Sequence, residues 1–292
     1  MRSRNLQLMK SFGIATVLAT CAVMFAGGLQ TNTAQADEAL ERLKEQGFAR
    51  IAIANEPPFT EVKPDGKVTG AAVEIARAVL ERLGVPELVA SVSEYGAMIP
   101  GVQARRFDMI AAGLFIKPER CKAILFSEPD LCDSGGFAVK TGNPLGLMTY
   151  GDIANHATAK VGGPGGGSEV KLAIDAGVPQ DRIVIVPDGQ SGIKMLMDGR
   201  IDVYALPALS IADLLDKADS PDLDMVAPVK DAPVFCAGVG FHKKDRALRD
   251  AYDVVLAELK SSGEFSEIVS GFGFPPEAAS LTTRDKLCGF EN

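Results

Sequence analysis

The chain has 292 residues and a formal net charge of −8, with 23% charged residues and no tryptophan. An acidic protein without a basic patch is poorly suited to nucleic acid or to an anionic membrane surface, which excludes both as partners. The length allows one large domain or two of ordinary size.

Residues 1–36 have the organisation of a signal peptide. Basic residues lead into an apolar run over about residues 12–25, and an Ala-Gln-Ala triplet ends at Ala36 as in a signal-peptidase site. The run is short for a membrane span, so an uncleaved anchor is the weaker alternative. Lipidation of Cys21 is another, but the threonine before it is a poor residue for that position. We therefore expect an exported, periplasmic protein that is cleaved near Ala36.

The first part of the exported chain alternates between strands and helices. Short apolar runs predict strands at residues 49–54, 87–91 and 107–113. Helical spacing of apolar residues predicts helices at residues 71–83 and 95–104. A β-α-β-α-β order of this kind indicates a mostly parallel sheet with helices on both faces.

The same order returns in the second half of the chain. Strands are predicted at residues 159–162, 182–186 and 201–206. Helices are predicted at residues 168–176 and 190–198. The repetition indicates two α/β lobes of similar, Rossmann-like construction.

Two extended segments connect the predicted lobes, at residues 137–144 and 232–241. A chain that crosses twice between two lobes forms a two-strand hinge above a cleft, and hinge closure of such clefts is common. The predicted division is a signal peptide at 1–36, a first lobe at 37–139 and 238–292, and a second lobe at 140–237.

Four cysteines remain after the signal peptide, and an even count in an oxidising compartment predicts two disulfide bonds. Three pairings are possible. We favour Cys121–Cys132, a short loop closure, together with Cys236–Cys288, which would fix the C-terminal tail. A metal site is less expected, because no Cys-x-x-Cys pair occurs and the two histidines lie far from the cysteines in sequence.

The segment Leu114–Arg120 follows a predicted buried strand and begins a short helix. It places the ring of Phe115 five residues from the guanidinium of Arg120. Ligands of open α/β folds lie beyond the carboxyl ends of strands. An arginine there can hold a carboxylate with two parallel hydrogen bonds, and an aromatic ring can cover a cationic group. These residues indicate a site for a small zwitterion.

Several motifs distributed over the chain occur together: Glu56-Pro57-Pro58-Phe59, Gly66-Lys67-Val68-Thr69-Gly70, Phe107-Asp108-Met109-Ile110-Ala111-Ala112-Gly113, Lys117-Pro118-Glu119-Arg120, Phe126-Ser127-Glu128-Pro129 and Gly199-Arg200-Ile201-Asp202-Val203. With them the chain resembles the periplasmic solute-binding proteins of ABC importers, in the branch that binds polar amino acids. Within that branch it looks closest to the ectoine- and hydroxyectoine-binding proteins. The resemblance implies an α/β, two-lobed type II periplasmic binding protein fold and no cofactor.

The resemblance also implies roles for particular residues. In amino-acid binders the arginine after Pro-Glu holds the ligand carboxylate, a role that falls here to Arg120. The second lobe adds backbone N–H groups from a glycine-containing loop at a helix N-terminus, here Gly166, Gly167 and Ser168, where the helix dipole favours an anion. A phosphate loop is excluded because no Lys-Ser/Thr pair follows the glycines, and a dinucleotide loop lacks its strict Gly-x-Gly-x-x-Gly spacing.

One difference from the family pattern limits the kinds of ligand that we expect. Amino-acid binders commonly carry an aspartate after the Gly-Arg-x-Asp strand, where this chain has Val203-Tyr204-Ala205-Leu206-Pro207-Ala208. Without that acid, a compact primary ammonium group loses its charged partner, so we expect a diffuse cation instead.

Diffuse cations are held by aromatic faces. Three aromatic residues lie in loops that follow strands of the first lobe: Phe59, Tyr95 and Phe115. Glu56 could accept hydrogen bonds from ring N–H groups and balance the charge. A cyclic amidinium with one carboxylate, such as ectoine, matches this set of residues.

The sequence therefore predicts a monomeric binding protein, not an enzyme, that delivers ectoine or hydroxyectoine to the membrane subunits of an ABC permease. A first alternative is a binder of polar amino acids or opines. A second is a dehydratase-type enzyme of the same fold, for which Glu56 is the only obvious acid or base. A receptor sensor domain is set aside, because residues 282–288 are too polar to lead into a membrane span.

Overall fold

The computed structural model describes residues 34–290, so the predicted signal peptide lies almost wholly outside the described residues. The chain begins with α1 (Ala34–Gln46), β1 (Phe48–Ile53), β2 (Glu61–Val62), β3 (Val68–Thr69), α2 (Ala71–Arg82), β4 (Glu87–Val92), α3 (Tyr95–Gln103), β5 (Met109–Ile110), α4 (Pro118–Cys121) and β6 (Leu125–Phe126). These elements build most of the first lobe.

The chain then crosses to the second lobe and returns. The crossing strand is β7 (Leu131–Asp133). The second lobe contains β8 (Gly135–Lys140), α5 (Tyr150–Asn155), β9 (Val161–Pro164), α6 (Ser168–Asp175), β10 (Ile183–Val186), α7 (Gly189–Met197), β11 (Val203–Pro207), α8 (Ala208–Ala218) and β12 (Leu223–Val226). The returning strand β13 (Phe235–Ala237) is followed by β14 (Gly240–Phe241), α9 (Arg246–Ser262), α10 (Glu264–Ser270) and α11 (Arg284–Cys288).

The first lobe is built on a five-stranded sheet in the order β4-β1-β5-β14-β6. Strand β1 pairs in parallel with β4 and β5, whereas β14 pairs antiparallel with β5 and β6. Apolar clusters cover both faces of this sheet, which explains why its central strands read as continuous apolar runs. The carboxyl ends of β1 and β5 face the second lobe and carry the loops of the cleft.

The second lobe repeats this plan with the order β10-β9-β11-β8-β12. Its three parallel strands are β10, β9 and β11, and β8 and β12 complete the sheet in antiparallel pairing. Two further apolar clusters lie on its faces. The prediction of two α/β lobes and a type II binding-protein fold is thus confirmed.

Two details of the predicted elements were wrong. The segment 137–144 was interpreted as a connector, but its first half lies in β8, within the sheet of the second lobe. The strand predicted at 107–113 is limited to β5, because the chain beyond it turns into the cleft. We therefore propose that the second lobe begins near residue 134 instead of residue 140.

The hinge consists of β7 and β13, which pair antiparallel to each other. Cys132 and Cys236 are direct partners in this pairing, with Cα atoms 4.0 Å apart, and they form a disulfide bond. Cys121 on α4 is bonded to Cys288 on α11. The predicted pairing was therefore wrong: proximity in sequence favoured Cys121–Cys132, but β6 separates the two residues and each faces a distant segment.

Among residues 34–290, no helix has the length and apolar character needed to cross a membrane.

Candidate ligand-binding site

The two lobes are in contact across the cleft. The Ser210 hydroxyl of the second lobe donates to Glu56 Oε1 of the first at 2.9 Å. The Gly96 N–H donates to the carbonyl of Gly165 at 3.2 Å. Outside the cleft, an ion pair of 3.4 Å joins Lys217 to Glu61. These contacts define a closed arrangement of the lobes.

A small cavity lies in this cleft between the lobes. Both lobes contribute to its wall, and it lies beyond the carboxyl ends of the first-lobe strands, as expected for an α/β fold. Its lining consists of Glu56, Phe59, Tyr95, Gly113, Phe115, Arg120, Gly167, Ser168, Glu169 and Pro207. The structure thus brings together seven of the eight residues predicted from the sequence.

The aromatic wall is anchored in the core of the first lobe. Phe59 is 1% exposed and packs edge-on against Phe274, with ring centroids 4.8 Å apart, and against Phe115, with centroids 6.3 Å apart. Gly113 has a φ of 67°, and a Cβ there would lie 2.3 Å from the Phe59 ring. A glycine at this position therefore permits the ring to lie against the backbone.

Tyr95 provides the third ring. It begins α3, and its hydroxyl donates to the carbonyl of Ala112 at 3.1 Å. That bond fixes the phenol beside the strand end that leads to Phe115. The three rings predicted from the sequence therefore converge on one cavity, on the side formed by the first lobe.

Arg120 is the cationic group of the cavity. It lies on α4, which begins at Pro118. Its guanidinium donates to the carbonyl of Phe115 at 2.9 Å and to the carbonyl of Gly166, across the cleft, at 3.0 Å. Burial lowers the pKa of Arg120, because the charged form is poorly solvated there, and nearby acidic groups oppose that shift.

The glycine-rich loop of the second lobe lies opposite. Gly167 and Ser168 line the cavity at the N-terminus of α6, and the hydroxyl of Ser168 is buried without a hydrogen-bond partner among the described residues. Gly166 does not line the cavity. It has a φ of 75°, and a Cβ there would lie 2.5 Å from the backbone of Gly96. Gly166 therefore serves as a point of close contact between the lobes.

Two carboxyl groups face the cavity from opposite lobes. Glu56 belongs to the loop after β1, and enclosure of its carboxyl raises its pKa to about 8, with a further contribution from the nearby Glu169. Burial also raises the pKa of Glu169, which is 7% exposed; its own helix N–H groups, Lys117 and Arg120 partly offset that effect. The pair makes the cavity receptive to a cation.

The sequence prediction did not include Glu169, Gly113 or Pro207. Glu169 could have been identified as a site residue from its position directly after Ser168, in the first turn of a helix that faces the cleft. Pro207 occupies the region in which the absence of an aspartate was noted. Strand β11 lacks the aspartate that amino-acid binders commonly carry, but Glu169 on α6 supplies a carboxyl group to the cavity from the same lobe.

A second groove adjoins the cavity. It shares Glu56 and Tyr95 with the cavity. Glu94 and Asp188 lie at its edge, one from each lobe. Residues of both lobes therefore line this groove as well.

Comparisons with known proteins agree with this geometry. Residues 49–274 match the family of bacterial extracellular solute-binding proteins, family 3. The chain belongs to this family. It is 35% identical over 261 residues to a probable amino-acid ABC transporter periplasmic-binding protein of Sinorhizobium fredii, covering 85% of each chain.

Two solved structures are similar as well. One is EhuB in complex with hydroxyectoine, which is 63% identical, with a TM-score of 0.86 over 87% of this chain and 98% of that chain. The other is a mutant of ArgBP from T. maritima, which is 24% identical, with a TM-score of 0.72 over 80% of this chain and 98% of that chain. The second supports the fold alone. The protein is therefore an extracytoplasmic solute-binding protein of the ABC transporter type.

Proposed function

We propose that the protein captures ectoine and hydroxyectoine and delivers them to the membrane subunits of an ABC permease. The observation that carries this proposal is the composition of the cavity between the lobes. A guanidinium, three aromatic rings and two carboxyl groups surround one small space. The 63% identity to EhuB in its hydroxyectoine complex supports the same ligand class.

The cavity offers complementary groups for both ends of a cyclic zwitterion. The ligand carboxylate is assigned to the guanidinium of Arg120, in exchange for its carbonyl contacts, and to the Ser168 hydroxyl, which has no hydrogen-bond partner within residues 34–290. The delocalised ring cation is assigned to the faces of Phe59, Tyr95 and Phe115, which favour weakly hydrated cations.

The two carboxyl groups complete the charge balance. The carboxylates of Glu56 and Glu169 accept the N–H groups of the ring cation and oppose its charge. Because burial raises the pKa of both groups in the free protein, a bound cation favours their ionisation.

Closure of the lobes links capture to delivery. Without ligand, Arg120 bonds to both lobes, through the carbonyls of Phe115 and Gly166, and a bound carboxylate would replace these contacts with a bridge from its guanidinium to α6. A ligand that contacts both lobes binds the closed form better and shifts the population towards it. Preferential docking of the closed form on the permease would then make delivery depend on the ligand.

Calorimetric titration of the purified protein with ectoine, hydroxyectoine, arginine and glutamine tests the ligand assignment. We expect both ectoines to bind at micromolar strength or better, about −8 kcal/mol, and both amino acids to bind at least a hundred-fold more weakly. Micromolar binding of arginine without binding of ectoine would overturn the assignment.

A polar amino acid or an opine is the second candidate ligand. It is favoured by Glu169, because a carboxylate in the second lobe can pair with an α-ammonium group. The Sinorhizobium fredii relative is described as a probable amino-acid transporter component. The titration above separates the two candidates.

We further propose that the protein performs no chemistry on its ligand. Glu56, with a pKa of about 8, is the group best suited to act as an acid or base. Incubation of the protein with each bound ligand, followed by mass spectrometry, should return the ligand unchanged. Stoichiometric binding with slow conversion would instead assign an enzymatic role to the cavity.

The mature form is also part of the proposal: an exported monomer that begins after Ala36. Mass spectrometry of protein from a periplasmic extract should give the mass of residues 37–292 with two disulfide bonds. A mass that retains the N-terminal segment, or one that includes lipid on Cys21, would contradict it.

A further inference from the structure

Phe235 lies on the hinge strand β13, outside the cavity lining. Its ring is stacked on that of Phe115, with centroids 4.9 Å apart and an angle of 15° between the planes. Phe115 is 6% exposed and lines the cavity, whereas Phe235 is half-buried. A hinge residue thus contacts the rear of the aromatic wall instead of the ligand space.

The outer environment of Phe235 includes a cation. The ammonium group of Lys117 lies 4.5 Å from the centroid of the Phe235 ring, within the range of a cation–π contact. Burial and the nearby Arg120 lower the pKa of Lys117, while Glu169 opposes that shift. Phe235 therefore contacts both the ammonium group of Lys117, the residue before α4, and the ring of Phe115.

The backbone reinforces this contact. Phe115 forms an isolated antiparallel bridge with Ala237, and the Ile116 N–H donates to the carbonyl of Cys236 at 2.9 Å. Cys236 is in turn bonded to Cys132 on the other hinge strand. The segment that carries Phe115 is consequently joined to the hinge by main-chain pairing and by ring stacking.

Phe235 is the ring that stacks on Phe115. The only other ring contact of Phe115 among the described residues is the edge-on approach to Phe59, at 6.3 Å. Backbone pairing fixes the Cα position but leaves the side-chain torsions free to change. A stacked neighbour restricts those torsions, so that the ring face meets a ligand without a cost in reorganisation.

We propose that Phe235 is a positioning residue for the ligand cation, acting through the ring of Phe115. It orients a binding ring from the hinge without itself contacting the ligand. This proposal deepens the assignment of ectoine and hydroxyectoine as ligands and rests on it.

The test is a double-mutant cycle measured by titration with ectoine and hydroxyectoine. Phe235→Leu should weaken binding about five- to ten-fold in the wild-type background, as expected for loss of one aromatic pair. In the Phe115→Leu background the same change should weaken binding less than two-fold, because the ring to be positioned is already absent. Phe235→Tyr, which retains the stack, should bind within two-fold of wild type.

Phe107→Leu is a matched control. Phe107 is also half-buried in the first lobe and also lies near a cation, with the guanidinium of Arg106 5.9 Å from its centroid, but it does not line the cavity. Its replacement should leave both affinities unchanged. Thermal unfolding of each variant confirms folding, and if Phe235→Leu is unfolded, Phe235→Met is measured in its place.

The outcomes separate the two proposals. Wild-type protein that binds neither ectoine nor hydroxyectoine overturns the proposed function and this inference together. Wild-type binding with equal losses from Phe235→Leu in both backgrounds, or with no loss in either, overturns the positioning role alone. Failure of Phe235→Tyr to restore affinity would do the same.

Discussion

The two walls of the cavity are built in different ways. On the first-lobe side the wall consists of side chains packed into the lobe's own core, with Phe59 against Phe274 and Phe115 against Phe235. On the second-lobe side it consists of a glycine-rich loop, the first turn of α6 and Pro207 at the end of β11. A wall fixed by its own core needs no partner lobe to form, whereas the loop wall reaches the ligand only on closure. We therefore expect the first lobe to recognise the ring of the ligand and the second lobe to keep the bound ligand in the closed cleft.

The largest effect is expected at Arg120, the charged anchor of the first-lobe wall. Arg120→Ala removes the group assigned to the ligand carboxylate and should weaken ectoine binding about a hundred-fold or more, from the loss of a charge-assisted pair. Arg82→Ala is the control, because Arg82 forms an exposed ion pair with Glu264. Titration calorimetry measures both. An affinity of Arg120→Ala within three-fold of wild type would remove this residue from the site.

A change in the second-lobe loop should act through closure. Gly166→Ala places a methyl group 2.5 Å from the backbone of Gly96 across the cleft, so binding should weaken about ten- to a hundred-fold. Gly142 has a similar positive φ, and no atom of the described part of the chain lies within 4 Å of a Cβ built there, so Gly142→Ala should leave affinity unchanged. Small-angle scattering with saturating ligand should show a more open shape for Gly166→Ala only. Equal affinities for the two variants would show that this contact does not limit closure.

Glu169 tests whether the second-lobe wall recognises the cation. Glu169→Gln keeps the size of the side chain but removes the carboxylate, and should weaken ectoine binding about ten-fold. Glu267→Gln, an exposed residue of α10, provides the control. Normal ectoine binding by Glu169→Gln would show that the second lobe does not contribute to binding of the cation. The aromatic rings and Glu56 of the first lobe would then be sufficient to bind it.

The smallest effect is a pH dependence centred on Glu56. Its pKa of about 8 means that this carboxyl is mostly protonated at pH 7 in the closed cleft. A bound cation favours the ionised form and lowers that pKa, so binding should release a proton and affinity should fall as the pH falls below about 8. The fall should not exceed about ten-fold per pH unit.

Titrations in buffers of different ionisation enthalpy measure the released proton. Glu56→Gln should release none and should show a flatter pH profile between pH 6 and 8. Proton release that persists unchanged in Glu56→Gln would assign the titrating group to Glu169.

The local sequence was sufficient for the order of elements and for much of the first-lobe wall. Apolar periodicity depends on neighbouring residues, and it placed helix α2 and strand β1 within a residue or two of their observed bounds. Parallel strands bring their carboxyl ends to one edge of the sheet. The predicted strand order was therefore enough to indicate that Phe59, Tyr95 and Phe115 lie close together. The role of Arg120 was implied by the resemblance of its motif.

Only the tertiary structure decided the features that depend on distant segments. The disulfide partners of Cys121 and Cys132 are 167 and 104 residues away, a distance over which sequence spacing carries no information. The orientation of Glu169 into the cavity required the packing of α6 against the cleft. The stacking of Phe235 on Phe115 could be identified only from the structure, in which the hinge strand lies beside Phe115. A contact between residues so far apart in sequence produces no periodic pattern.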